Sequence, residues 1–185
     1  MTADEFSNVG EIAVLADCHI HPGGGVDWPA AALEALAGAD LIVTLGDMGE
    51  ARGLEALAAV APVIGVKGAD DGDDPRTAPA ARVLEAVGVR IGCVFDPVAA
   101  GLAVGSAPLV PVEAFAAAEA RLFGRPVTVV LYASTHAPAI DDLEGRLWVN
   151  PGSATLPAGQ ERGAGGTLAR LTIEAGVAKA RIASL

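Results

Sequence analysis

The residues able to do chemistry in this sequence sit at the ends of three apolar runs. Glu11-Ile-Ala-Val-Leu-Ala-Asp17-Cys-His19 finishes on a carboxylate and an imidazole. Leu41-Ile-Val-Thr-Leu-Gly-Asp47 finishes on a second carboxylate, and Val127-Thr-Val-Val-Leu-Tyr132 leads within four residues to His136. Short apolar runs read as buried strands, and the C-terminal edge of a parallel sheet is where α/β proteins bind ligands. Two acids and an imidazole delivered to that edge are poised to share a metal ion.

The elements that must carry these residues alternate strand and helix in the first half. Strand 11–17 precedes a Pro/Gly loop, Pro22 to Gly25, and a helix from about Pro29 with Leu33 and Leu36 on one face. Strand 41–47, a helix over about 51–60 and a strand from Val63 to Lys67 complete a βαβαβ pattern, which predicts a parallel sheet with right-handed crossovers. Gly68 to Pro79, with four Asp and two Pro, reads as a loop. In the second half, Arg82 to Ala86 and Val89 to Phe95 flank Val87-Gly88 as a hairpin. Residues 96–111 are rich in Pro, Gly and Ala, carry no regular structure, and read either as an added lid or as an interface. A helix from Val112 to Phe123 ends at Gly124 and Pro126, and strand 127–132 follows. Two short extended pieces, at about 138–141 and at Leu147 to Val149, precede a closing hairpin around Ala175-Gly176. The expectation is one domain over residues 1–185, with two sheets face to face and helices outside.

Composition narrows the classes of function. With 23 acids against 12 basic residues the net charge is −11, a field that repels nucleic-acid phosphates and gives no attraction to anionic membrane. A small phosphorylated ligand remains compatible, because a local cation overrides the global field. Apolar residues make up 52% of the chain but aromatics only 4%, so the core is built from Ala, Val, Leu and Ile. No apolar stretch approaches the roughly 20 residues of a spanning helix, and the acidic N-terminus lacks the order of a signal peptide. Cys18 and Cys93 lie in or beside apolar strands, which fits buried thiols in a reducing cytoplasm. A protein partner or a second copy of the chain leaves no readable mark.

The motifs taken together resemble the calcineurin-like metallophosphoesterases, in particular the small phosphodiesterase branch that also includes the retromer subunit Vps29. Family members carry Asp-x-His, Gly-Asp, Gly-Asn-x-Asp, a His after the central hairpin, Gly-His-x-His and Asn-Pro-Gly-Ser. Here the corresponding stretches are Asp17-Cys18-His19, Gly46-Asp47, Gly68-Ala69-Asp70-Asp71, Phe95-Asp96, Ala133-Ser134-Thr135-His136 and Asn150-Pro151-Gly152-Ser153. The resemblance implies a four-layer α/β/β/α sandwich of two mixed β-sheets flanked by helices. It also implies that Asp17, His19, Asp47 and His136 hold one divalent ion per chain, Mn, Fe or Zn. A second ion would share Asp47 and add an Asn and two His, but those positions hold Ala69, Phe95 and Ser134. Two implied functions follow: a phosphoesterase that hydrolyses phosphodiesters or small phosphates with one complete metal site, or a catalytically silent scaffold of the Vps29 kind.

Neighbouring residues admit blander readings. Asp70, Asp71 and Asp96 lie beside the altered positions as substitute ligands, yet Asp and Gly favour turns through local side-chain bonding, and an acidic turn over Asp70 to Asp74 is the simpler expectation. Asp96 is the best substitute of the three. Phe95 fills the pocket with an apolar ring, and Ser134 either donates to a phosphate or is solvated. His21 extends the motif to Asp-x-His-x-His, the opening of some barrel hydrolases, but those need about 250 residues. It is therefore read as a loop residue near the site. Ser153 has no histidine in its pattern to act as base, and the turn that contains it is assigned a structural role. Cys18 alternates away from its neighbours into the core.

Overall fold

The structure, a computed structural model, describes residues 3–21, 28–102, 112–161 and 165–185. The expected loop from Pro22 to Gly25 lies outside the described residues, as does 103–111 of the segment read as lid or interface.

Two mixed sheets form the centre. The five-stranded sheet contains β2 (Glu11–Leu15), β3 (Leu41–Thr44), β4 (Val63–Gly65), β10 (Thr167–Glu174) and β11 (Val177–Ser184), in the order β11-β10-β2-β3-β4. Strands β2, β3 and β4 run parallel, joined through helices α1 (Ala30–Ala35) and α2 (Ala51–Ala58), while β10 and β11 are antiparallel additions. The six-stranded sheet contains β1 (Asp4–Phe6), β5 (Ala81–Ala86), β6 (Val89–Val94), β7 (Val129–Leu131), β8 (Pro138–Leu143) and β9 (Arg146–Pro151), in the order β1-β5-β6-β7-β9-β8. Helix α3 (Val112–Phe123) lies where the sequence places it.

Period-two alternation explains why the strands read as unbroken apolar runs. Ile12 and Val14 join Leu41, Val43, Ile91 and Leu131 in the core between the sheets. Ala13, Leu15 and Ile42 face the other way, onto Leu36 of the α1 end and Leu57 of α2. Val130 and Trp148 of the second sheet meet Phe123 of α3 on its outer face. Strands buried on both faces need apolar residues at every position. The layers are therefore helix, sheet, sheet, helix, as expected. Phe123 lies so close on β6 that a Cβ at Gly92 would come within 2.6 Å of its ring.

Three hairpins share one turn chemistry. Val87-Gly88, Glu144-Gly145 and Ala175-Gly176 each hold both residues at positive φ, the two-residue turn whose twist matches that of the strands. Strand β1 was not expected from the sequence. It is three residues long, pairs parallel with β5, and is tied by Arg82 Nη1 donating to Asp4 Oδ2 at 2.6 Å.

Both cysteines are fully buried and free. Burial pushes each thiol from 9.0 up to about 12. A raised folded value means the native chain keeps protons that the unfolded chain releases. The stability from these thiols is present below about pH 9 and is lost as pH rises toward 12. We predict no reaction with Ellman's reagent in the native protein near pH ~8 and reaction of both thiols after unfolding. Fast native labelling of either cysteine would contradict this packing.

Candidate metal centre

The site is built where the parallel strands end. Past Leu15 and Thr44, β2 and β3 stop being regular, but their backbones stay zipped together. Asp17 N–H donates to Gly46 O at 3.0 Å, His19 N–H to Asp47 O at 2.9 Å, and Ile20 N–H to Met48 O at 2.9 Å. Gly46, at φ 100°, lets Gly68 and Phe95 approach closely: a Cβ there would stand 2.7 Å from each. Among the described residues, eight non-glycines have left-handed backbone. Three open the hairpin turns, and the other five are Asp17, His19, Asp47, Ser134 and His136. Each costs about 1–2 kcal/mol of strain relative to ordinary backbone. Such residues cluster where a side chain must be aimed.

The four residues singled out as ligands lie at one edge of the fold, but no three of them bring ligand atoms within 4.8 Å of one another, as His19, His21 and Asp70 do. His19 and His136 stack with ring centroids 5.3 Å apart, and His19 Nε2 lies 3.9 Å from Asp47 Oδ2. That gap is too long for a hydrogen bond, but two ligands each about 2.1 Å from a common ion reach at most about 4.2 Å. His136 N–H donates to Asp17 Oδ2 at 3.2 Å, while Asp17 Oδ1 is buried with no hydrogen-bond partner. Burial pushes the Asp17 carboxyl above its ordinary value, against the pull of His136. Both imidazoles are anchored through Nδ1. His136 Nδ1 meets Leu156 O at 2.7 Å, and a carbonyl only accepts, so this nitrogen carries the proton. His19 Nδ1 meets Asp70 Oδ2 at 2.7 Å. Each ring then presents the lone pair of Nε2, the arrangement by which a second partner orients a metal-binding histidine. The donor set, an orphaned buried carboxylate oxygen and two oriented imidazoles, suits a divalent cation chemically, and the side chains must close further to share one.

The acidic turn expected over Asp70 to Asp74 separates into distinct tasks. Asp71 accepts from four backbone amides: Met48 N at 2.7 Å and Gly49 N at 3.1 Å on Oδ1, Asp47 N at 3.0 Å and Gly68 N at 2.8 Å on Oδ2. Three of these bonds reach more than twenty residues back and only the one from Gly68 is local, so for Asp71 the local-turn expectation is corrected here. Asp70 N–H donates to Asp47 Oδ1 at 2.7 Å, and Asp70 Oδ2 also meets His21 Nε2 at 2.8 Å. The His19 hydrogen bond, with His21 adding to it, holds the Asp70 carboxyl below the usual range. Asp73 pairs with Lys67 and Asp74 with Arg76. Asp96 Oδ1 accepts from Val98 N at 2.8 Å and Ala99 N at 3.0 Å, so that oxygen caps the following turn. His21, read as a loop residue, joins the site through Asp70. Asp71 was the functional residue underrated by sequence reasoning. Its one signal was its match to the final Asp of the Gly-Asn-x-Asp motif.

The turn after β9 holds the floor. Ser153 Oγ donates to Asp17 O at 2.7 Å and accepts from Leu156 N at 2.8 Å, and Thr155 Oγ1 donates to Cys18 O. Asn150 Nδ2 donates to Thr135 Oγ1 at 3.0 Å, bracing the loop that carries His136. The structural role expected of this motif is the one it has. Phe95 packs against the core between the sheets, half-buried Ser134 lies beside the His136 loop, and Ala69 is exposed.

Residues 11–176 match the model of the calcineurin-like phosphoesterase superfamily domain, and the chain belongs to that superfamily. A probable metallophosphoesterase of Methanocaldococcus jannaschii is 29% identical over 148 residues, covering 79% of this chain and 69% of that one. Among solved structures, Entamoeba histolytica Vps29 complexed with Zn2+ superposes with a TM-score of 0.67 at 20% identity, over 94% of this chain and 98% of that one. A predicted phosphoesterase from Streptococcus pneumoniae gives 0.60 at 19% identity, over 95% and 89%. At these identities the two structures support the fold alone.

Replacing Asp71 by Ala strands four amides that only partly regain water. We predict a loss of about 3 kcal/mol, measured by urea unfolding, with impaired metal binding, while Asp73→Ala leaves the midpoint unchanged. Equal effects of the two substitutions would contradict the anchoring role of Asp71.

Proposed function

We propose that this superfamily member is a metal-dependent phosphoesterase in which Asp17, His19, Asp47 and His136 hold one divalent ion, and that it cleaves phosphodiesters or small activated phosphates. The observation that carries the reading is the anchoring of both imidazoles through Nδ1, which leaves the lone pair of each Nε2 free, His19 Nε2 standing 3.9 Å from Asp47 Oδ2, with an orphaned oxygen on Asp17. When bound, Mn2+, Fe2+ or Zn2+ supplies Lewis-acid polarisation of a phosphoryl oxygen and acidifies a water. The chain's own residues do the rest. Asp17 and Asp47 balance the cation, and burial keeps Asp17 from being satisfied by solvent instead. Asp70 and Leu156 fix the tautomers and ring planes. Ser134, at φ 72° beside the His136 loop, supplies a hydroxyl to donate to a phosphate oxygen. Two buried free thiols support the reducing cytoplasm as the protein's compartment.

A second reading, a catalytically silent scaffold, is favoured by Ala69, Phe95 and Ser134. These stand where the family pattern puts the remaining ligands of a second ion, and none supplies an imidazole or amide side chain. Two-ion phosphoesterases clamp both attacking and leaving oxygens, and a single ion gives up half of that clamp. Vps29, whose Entamoeba histolytica form is a zinc complex, illustrates the possibility of metal on this fold.

Metal analysis after loading with Mn2+ is expected to give about one ion per chain. Hydrolysis of bis-p-nitrophenyl phosphate is expected to require that ion. It should fall at least about 100-fold in Asp47→Ala, because loss of a second-shell partner alone costs about 10–100-fold. Full metal loading without turnover under any divalent ion selects the scaffold. Absence of loading rejects the four-residue site.

A further inference from the structure

We infer that His19, His21 and Asp70 form an outer, solvent-facing cation site that shares only the His19 ring with the buried one. Their ligand atoms lie within 4.8 Å of one another, with both histidine nitrogens on the same carboxylate oxygen at 2.7 and 2.8 Å. Three ligands about 2.1 Å from one ion stand at most about 4.2 Å apart, so closing on a cation requires only a small side-chain adjustment. The trio is also held in place by backbone. His19 and His21 flank buried Ile20, whose N–H is bonded to Met48 O, and both rings reach the same Asp70 oxygen. Asp70 is fixed by its own N–H on Asp47 Oδ1. The side chains are 19%, 38% and 39% exposed, so an ion reaches them directly from water and keeps water on its open positions.

Two imidazoles and one carboxylate are the donor set of Zn2+, Co2+, Ni2+ or Cu2+, and a poor one for Mg2+ or Ca2+, which take oxygen. In the metal-free form the same oxygen accepts two N–H bonds. To bind an ion, neutral His21 shifts its proton from Nε2 to Nδ1, and His19 shifts its proton from Nδ1 to Nε2. His19 has one lone pair when neutral. Turned inward through Nε2 it serves the buried site, and turned outward through Nδ1 it serves the outer one. The two sites therefore compete for this ring. The inference shares His19 with the proposed hydrolytic centre but requires no hydrolysis.

Zinc binding to the full chain by calorimetry, with long-range 1H–15N spectra of the imidazoles, tests it. In Asp17→Asn/His136→Ala, which disables the buried site, one Zn2+ is still expected to bind. His19 should be ligated through Nδ1 and His21 through Nε2. Adding His21→Ala or Asp70→Asn should weaken that binding by about 100-fold, at the top of the range seen even for second-shell partners. If the double variant does not fold, His136→Ala alone carries the same comparison. Zinc affinity insensitive to His21→Ala, or histidine nitrogens unmoved by zinc, overturns the outer site. Loss of phosphoesterase turnover leaves these readouts untouched, so the two readings fail separately.

Discussion

The arrangement depends on one carboxylate that collects backbone amides. Asp71 gathers Asp47, Met48 and Gly49 from the loop after β3 and Gly68 from the loop after β4, and so fixes two strand ends to one another. Around it, left-handed backbone at Asp17, His19 and Asp47 would relax if nothing opposed it. The zipped amides between the β2 and β3 loops and the Asp71 cradle supply that opposition. Strain at the aimed residues is thus offset by hydrogen bonds just behind them, and the carboxylates and imidazoles are oriented before any ligand arrives.

The centre also straddles the two sheets. Asp17, His19 and Asp47 come from the five-stranded sheet, whereas His136 follows β7 of the six-stranded one. Apolar packing between the sheets is non-directional and does not by itself set their registration. The turn Asn150 to Leu156 does, through Ser153 on Asp17 O, Thr155 on Cys18 O and the Leu156 carbonyl on His136. A motif without chemistry of its own decides how the two halves of the centre meet.

Much of this was legible beforehand because the signals were local. Period-two burial on both faces gave the apolar runs of β2, β3 and β7, and Val87-Gly88 and Ala175-Gly176 marked their hairpins. The strands are shorter than the apolar runs that announce them: Leu41 to Asp47 yields a strand that ends at Thr44, because the backbone turns left-handed to aim Asp47. What stayed hidden was long-range. Strand β1 is too short to show a period and exists through pairing with β5 and the Asp4–Arg82 contact. Asp70, Asp71, Asp73 and Asp74 look alike in composition, and only the fold assigns them to histidines, amides, a lysine and an arginine. His21 gained its place for the same reason, through Asp70.

The edges of the two sheets carry a consequence for the whole molecule. One sheet ends on three-residue β4 and on β11, whose outward positions include Lys179 and Arg181; the other ends on three-residue β1 and on β8, which bears Asp141 and Asp142. Short or charged margins give a foreign strand little to add to, while the stickiest segments, β2 and β3, lie in the middle. Exposing the apolar edge of β2 to a foreign strand therefore requires the closing hairpin of β10 and β11 to detach first.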